Sequence, residues 1–433
     1  MRDAILSGYW PGPWPCEDGG PRRTQVPPDA GAALGLRPGE RLAMRSRFAP
    51  VSCMTVSRGP GEVFLAGHTG SGASTTSWIE RIHPESLDAV ACSPALEAGP
   101  FWPGGIAAHR NGSLYVTYGR HCHRLSPECE PLASRVLPRE RPYNSLLVLP
   151  DGNLVMKDFA GGHGVHAIRD GARGSELVVL EPERLEIIAR LELPEGSIAR
   201  LSADLAPDGT PRVYVVGDRS AMRVLWHAGR ATVEQDEAWT TPYLRFDGQT
   251  FGWDAVIEDG SAWFLDNGEG TTNFGPSFRG KGTATSPLHL VRVALEGSHE
   301  PEYIEVCRKP GGIIANPPVV DASRSIAVGY DSGNGVVSAW RYGAPGESQR
   351  LWQREQNQAG HMLLFPASGE LMCYEYDHER STEQVVVLDI ESGEEKGRVA
   401  INSPMQCVVF PSFGGNRDVY VSTFSTLARV YVE

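Results

Sequence analysis

The stretch Pro142–Phe159, PYNSLLVLPDGNLVMKDF, decides the fold. Two short apolar runs, Leu146–Leu149 and Leu154–Met156, flank Pro150-Asp151-Gly152-Asn153. An Asp-Gly step between such runs marks a β-hairpin, because glycine supplies the positive φ that a tight turn needs. The pattern is written eight times, in copies beginning at Met54, Ile106, Pro142, Ser202, Asp254, Pro317, His361 and Cys407. Several copies are followed by a second hairpin with a polar turn, as in Leu177–Leu193 and Val385–Ile401. Each unit therefore reads as about four short strands, and units recur roughly every 40–60 residues, the period of propeller blades. The expected fold is all-β, a single propeller of eight four-stranded blades, with seven blades and a stray hairpin as the alternative.

The last unit offers only three strands, Cys407–Phe410, Val419–Phe424 and Ala428–Val432, whereas Leu42–Phe48 reads as a strand without a blade. If this strand completes the final blade, the ring closes and no free edge remains. The chain thus divides into a Pro/Gly-rich segment, 1–41, and a propeller domain, 42–433. Tyr9, Trp10 and Trp14 crowd the first segment. Aromatics of that size are uncommon in disordered tails, so the segment is expected to pack on or near the propeller.

Composition narrows the partners. A net charge of −13 argues against nucleic acid, since phosphates need a Lys/Arg face to replace their counterions. Arg22, Arg23, Arg279 and Lys281 form only small basic clusters. No window reaches the ~18 apolar residues of a membrane span, and the first residues lack a signal-like apolar run. The expectation is a cytoplasmic monomer or homodimer. Its eight scattered cysteines, without CxxC spacing, are read as buried thiols.

The turns within the first hairpins are short, whereas the connections on the opposite face include four long ones, His68–Ser77, Asp158–Glu176, Asp266–Pro287 and Tyr376–Glu383. Insertions concentrated on one face mark a binding face. Strands arriving there end in Lys157-Asp158, Asp218, Asp266-Asn267, Tyr330-Asp331 and Glu375. Strands leaving it begin after Tyr143, Asn144, Trp253, Asp254, Asn316, His361 and Gln406. Polar groups gathered at the mouth of an apolar scaffold are the makings of a small-molecule site. Turn capping by Asp and Asn accounts for about half of them by itself.

From this set, His361 and Asp254 are the candidate catalytic acid/base pair, a quarter-turn apart around the funnel. Trp253, Asn316, Gln406, Tyr143, Asn144, Lys157 and Tyr330 are candidate substrate-binding residues. Asp266, Asn267 and Asp331 offer oxygens for at most one hard cation, Ca²⁺ or Mg²⁺. His121 and His123 share a strand face without a third ligand. Gly162-His163-Gly164 opens a glycine pattern, but no helix follows, so a dinucleotide reading fails on context. There is no G-x-S-x-G, no P-loop and no H-E-x-x-H.

The second hairpins, VVVLDIESGEEKGRVA above all, resemble the repeat of quinoprotein-like and YVTN-type propellers across roughly residues 50–433. The resemblance implies the propeller fold and a superfamily that includes dehydrogenases, lactonases, lyases and interaction scaffolds. Alcohol-type quinoproteins are exported and carry adjacent cysteines. This chain shows neither feature, nor the tryptophan that ends their repeat, and a quinone is not expected. The expected function is an enzyme that hydrolyses, eliminates or isomerises a polar metabolite in the long-loop funnel, by acid/base or metal-assisted chemistry. A scaffold that binds a protein on that face is the alternative.

Overall fold

The computed structural model describes residues 2–161, 168 and 170–433; the Gly162-His163-Gly164 pattern lies outside the described residues. Eight antiparallel sheets form an eight-bladed propeller. Their inner strands are Ser52–Gly59, Pro103–Ala108, Leu147–Val148, Ser202–Leu205, Val256–Glu258, Val319–Asp321, Leu363–Phe365 and Ser412–Phe413, which number blades 1 to 8. Blades 1 and 4 each add a short fifth strand, Leu96–Glu97 and Thr241–Pro242.

The opening hairpin is the first half of blade 3. Gly152 takes φ +96°, and Leu149 donates its N–H to Asn153 at 2.8 Å, closing the turn. Its acid also joins two blades: Asp151 accepts from its own Asn153 and, at 2.7 Å, from the indole of Trp226 in blade 4.

Closure follows the expected scheme. Leu42–Phe48 pairs antiparallel with Thr426–Val432, from Leu42 opposite Val432 to Phe48 opposite Thr426. The N-terminal strand thereby covers the last blade's outer edge. One strand departs from expectation: the inner strand of blade 8 is Ser412–Phe413, not Cys407–Phe410. Pro411 cannot donate to a ladder, and Cys407–Phe410 instead lines the route into the blade, where Phe410 makes one parallel bridge to Met54.

The core lies between neighbouring blades rather than at the axis. The axis is crossed by the N-terminal segment. Gly8 accepts from Arg110 beside the Asn111-Gly112 turn, so the segment enters on the short-turn side. Trp14 bridges Ser57 in blade 1 and Cys16 bridges Ala107 in blade 2. Further on, Pro21 accepts from Ala203 of blade 4, Arg22 from Ile257 of blade 5, and Gln25 from Leu364 of blade 7. Tyr9, Trp14 and Cys16 are buried; Trp10 packs under Arg58, whose guanidinium carbon is 4.2 Å from the ring centre. Residues 14–25 therefore form a strap across the channel floor.

Candidate functional site

Local geometry aims the strap's charged side chains into the channel. Asp18, Arg23 and Gln25 all take left-handed φ values, +55°, +54° and +59°. A non-glycine residue in that region costs about 1 kcal/mol or more and persists where surroundings over-determine it. Gly105 admits the strap: a Cβ there would stand 2.5 Å from Glu17 Oε1 and 3.0 Å from Leu146 Cβ.

Arg23 is the hub. It donates to Asp18 at 2.7 Å, to Glu17 at 3.0 Å and to the carbonyl of Leu201 at 2.6 Å. Arg200, from the link into blade 4, donates to both Glu17 oxygens and to the carbonyls of Pro103 and Gly104. Burial raises the Glu17 carboxyl against the pull of Arg200 and Arg23. Burial also acts to raise Asp18, but His361 and Arg23 outweigh it and hold Asp18 below its usual value.

The candidate pair meets at this hub. His361 Nδ1 lies 2.7 Å from Asp18 Oδ1, and the ring packs on Phe410 with centroids 3.9 Å apart. Asp254 accepts from the backbone N–H of Arg200 at 2.6 Å through Oδ1, and its Oδ2 is 3.9 Å from Arg23. The sequence expectation paired Asp254 with His361, to orient the ring or a substrate; the carboxylate bonded to the imidazole is Asp18. One ligand-type atom from each of Asp18, Asp254 and His361 lies within 4.8 Å of the others. All three side chains are at most 1% exposed, yet His361 Nε2 and Asp254 Oδ2 have no hydrogen-bond partner among the described residues.

The other candidates divide. Lys157 is fully buried and donates to Ser197 O at 2.7 Å, Asp158 O at 2.8 Å and Asn144 Oδ1 at 3.2 Å. Burial lowers its amine to about 7, against the opposing pull of Asp158 and Asp254. Asn144 in turn donates to Ile198 O. Tyr330, fully buried, reaches Ala359 O at 3.4 Å, and Asn316 donates to the carbonyls of Ala359 and Val408. Tyr143 turns away into blade 3, where its hydroxyl meets Glu176. Gln406 is a latch for the long blade 5 connection: it accepts from Phe278 N and donates to Asn357 O, both at 2.9 Å. Trp253 stands against Phe159, which stacks on Trp102 with centroids 4.3 Å apart, so one side of the funnel is aromatic.

The three residues expected to share a cation are each engaged nearby. Asp266 accepts from His289 N, His289 Nδ1 and Gln249; Asn267 donates to Ser286 O; Asp331 accepts from Asn334 and Ile313. Sequence reasoning missed Glu17, Asp18, Arg23 and Arg200 as members of the centre. The only signal for Glu17, Asp18 and Arg23 was the pairing of charged groups with a Pro/Gly segment rich in aromatics, and for Arg200 its place before an inner strand.

No helix among the described residues is long and apolar enough to cross a membrane. No protein family model matches the chain, and no curated protein matches it in sequence. Solved structures do match. A quinohemoprotein alcohol dehydrogenase from Pseudomonas putida aligns with TM-score 0.57 and 10% identity over 99% of this chain and 81% of its own. A europium-containing methanol dehydrogenase gives 0.56 and 10% over 96% and 89%, and the Dos1 propeller 0.55 and 10% over 91% and 95%. At such identity the likeness is one of fold alone.

Proposed function

We propose that the protein is a small-molecule enzyme whose site is the channel centre, reached from the long-loop face. It would act on a polar metabolite by acid/base chemistry of the hydrolase, lyase or isomerase type. The observation that carries this reading is the pair of buried atoms in one cluster, His361 Nε2 and Asp254 Oδ2, that have no hydrogen-bond partner among the described residues. A buried polar atom left without a hydrogen bond costs about 1–3 kcal/mol, so two acceptors together mark a place where a ligand's O–H or N–H donors complete the bonding. In this reading His361 moves the proton and Asp254 receives a ligand donor. Lys157 and Asn144 supply polar contacts, and Trp253 with Phe159 an apolar wall.

The chemistry needs no metal. Three carboxylates, Glu17, Asp18 and Asp254, are already faced by Arg23, Arg200 and the His361 ring. A hard cation at the Asp266, Asn267 and Asp331 end of the funnel would serve binding only. Neither nucleic acid nor membrane enters the reading.

The test is a pooled library of polar metabolites incubated with the protein and followed by mass spectrometry. One compound should be consumed, and His361→Ala should slow its loss by a factor of about 10² or more. Consumption at the wild-type rate by a folded His361→Ala protein would refute the role given to His361.

The burial of the cluster favours a second reading. Asp18, Asp254 and His361 are at most 1% exposed and the strap occupies the channel floor. A channel filled in this way suits a noncatalytic scaffold whose charged centre holds the blades together. In that case the His361→Ala protein melts early, and a protein partner rather than a metabolite is bound on the long-loop face.

A further inference from the structure

We infer that Asp18, carried into the channel by the N-terminal strap, is the positioning residue for His361. It holds Nδ1 as the protonated nitrogen and leaves Nε2 as the one that exchanges a proton with a ligand. The inference rests on the reading of the channel centre as a site, and deepens it.

Three observations carry it. The contact is short, 2.7 Å between Asp18 Oδ1 and His361 Nδ1, with both side chains buried. An ionised carboxylate only accepts hydrogen bonds, so Nδ1 must be the donor, and a neutral ring then has its lone pair on Nε2. Asp18 is itself fixed on its other oxygen by Arg23, at 2.7 Å, and by a left-handed backbone, φ 55° and ψ 21°. Phe410, 3.9 Å from the ring centre, limits rotation of the imidazole. The carboxylate that sequence proximity to the funnel favoured, Asp254, is instead held by the Arg200 N–H.

The chemistry balances on these groups. A ligand O–H gives its proton to Nε2 and its oxygen keeps the electron pair. The ring becomes an imidazolium that donates from Nδ1 to Asp18, and the proton returns from Nε2 to the departing or rearranged oxygen. Asp18 stays ionised throughout, as an orienting carboxylate does.

The two ring nitrogens can be read without any substrate. In protein labelled with ¹⁵N-histidine, with His361 assigned by its loss in His361→Gln, neutral-pH long-range ¹H–¹⁵N spectra should show Nδ1 protonated in the wild type. Asp18→Asn, which tolerates the left-handed backbone, should shift both ring nitrogens or mix the tautomers. Glu17→Gln also takes a carboxylate from Arg23 but does not touch His361, so it should leave the ring signals in place. Asp18→Glu should restore the wild-type pattern in part. A wild-type ring with Nδ1 unprotonated overturns the inference even if no Asp18 or Glu17 variant folds. So does an equal response to Asp18→Asn and Glu17→Gln. If the ring behaves as stated but no metabolite is consumed, the positioning stands and the catalytic reading fails.

Discussion

Asp18 and His361 are 343 residues apart in sequence and 2.7 Å apart in space. That one bond ties the strap to blade 7, and Arg23 ties the same carboxylate to the links into blades 4 and 5. The centre of the ring is thus held by the segment least regular in sequence.

Arg23→Met tests what the hub contributes. The side chain is 1% exposed, and its loss leaves Glu17 and Asp18 buried with one cation fewer. Removing one partner of a buried ion pair costs about 3–5 kcal/mol. Arg41→Met removes the exposed Arg41–Glu433 pair and should change stability by at most about 0.5 kcal/mol. Urea unfolding checks both; equal small effects would show that Arg23 is not a hub.

Ring closure predicts a second asymmetry. Deleting residues 1–48 removes the strap and also the outer strand of blade 8, exposing the edge of Thr426–Val432. The truncated protein should aggregate or unfold without a single cooperative transition. Deleting residues 1–3, which stops short of the buried Ile5, removes neither and should melt like the full chain. Light scattering with calorimetry measures both.

The fold was legible because each blade is local. Asp151-Gly152 and its seven counterparts place a turn from a few adjacent residues, and strand alternation does the rest. The closing strand was legible by counting. Cys407–Phe410 misled because an apolar run has strand character whether or not Pro411 lets it pair. The site was half legible. Asp254 and His361 stand before inner strands, so topology alone aims them at the axis. Asp18, Glu17 and Arg23 lie in a stretch with no period, and their placement depends on positive φ values and partners hundreds of residues away. Tyr143 and Gln406 occupy the right level but bond to Glu176 and to the 276–278 loop segment, a choice that side-chain packing makes.

Lys157 gives a pH dependence with a definite sign. Its amine titrates at about 7 in the folded protein, because of burial, and near 10.4 when unfolded. Between those values the unfolded chain binds more protons, so stability rises with pH, by of order 5 kcal/mol over the full window. Buried thiols such as Cys16 and Cys407, pushed up by burial, act oppositely above about pH 8.5. The contribution is therefore read between pH 7 and 8.5 as the difference from Lys157→Met, which should lack the rise. Parallel curves for the two proteins would mean that Lys157 keeps an ordinary amine.

Glu370 fastens the outer part of the N-terminal segment, accepting from Gly35 N, Leu36 N, Ser368 and Lys396. Burial works to raise its carboxyl, but these donors overcome it and hold it below the usual value. Its stabilisation is present above the unfolded value, about 4.3, and is lost as pH falls through the folded one. Limited proteolysis should cut the segment around residues 29–40 increasingly below pH 4, and Glu370→Ala should be cut there at pH 7. Equal resistance of the two proteins at pH 7 would show that Glu370 does not fasten the segment.

The claim that the channel centre receives a small molecule is met most directly by a thermal-shift screen of polar metabolites, run on the wild type and on a folded His361→Gln protein. At least one compound should raise the wild-type melting temperature at millimolar concentration or below, and the rise should disappear or fall severalfold in the variant. No shift from any compound in the wild type, or the same shift in both proteins, would contradict it.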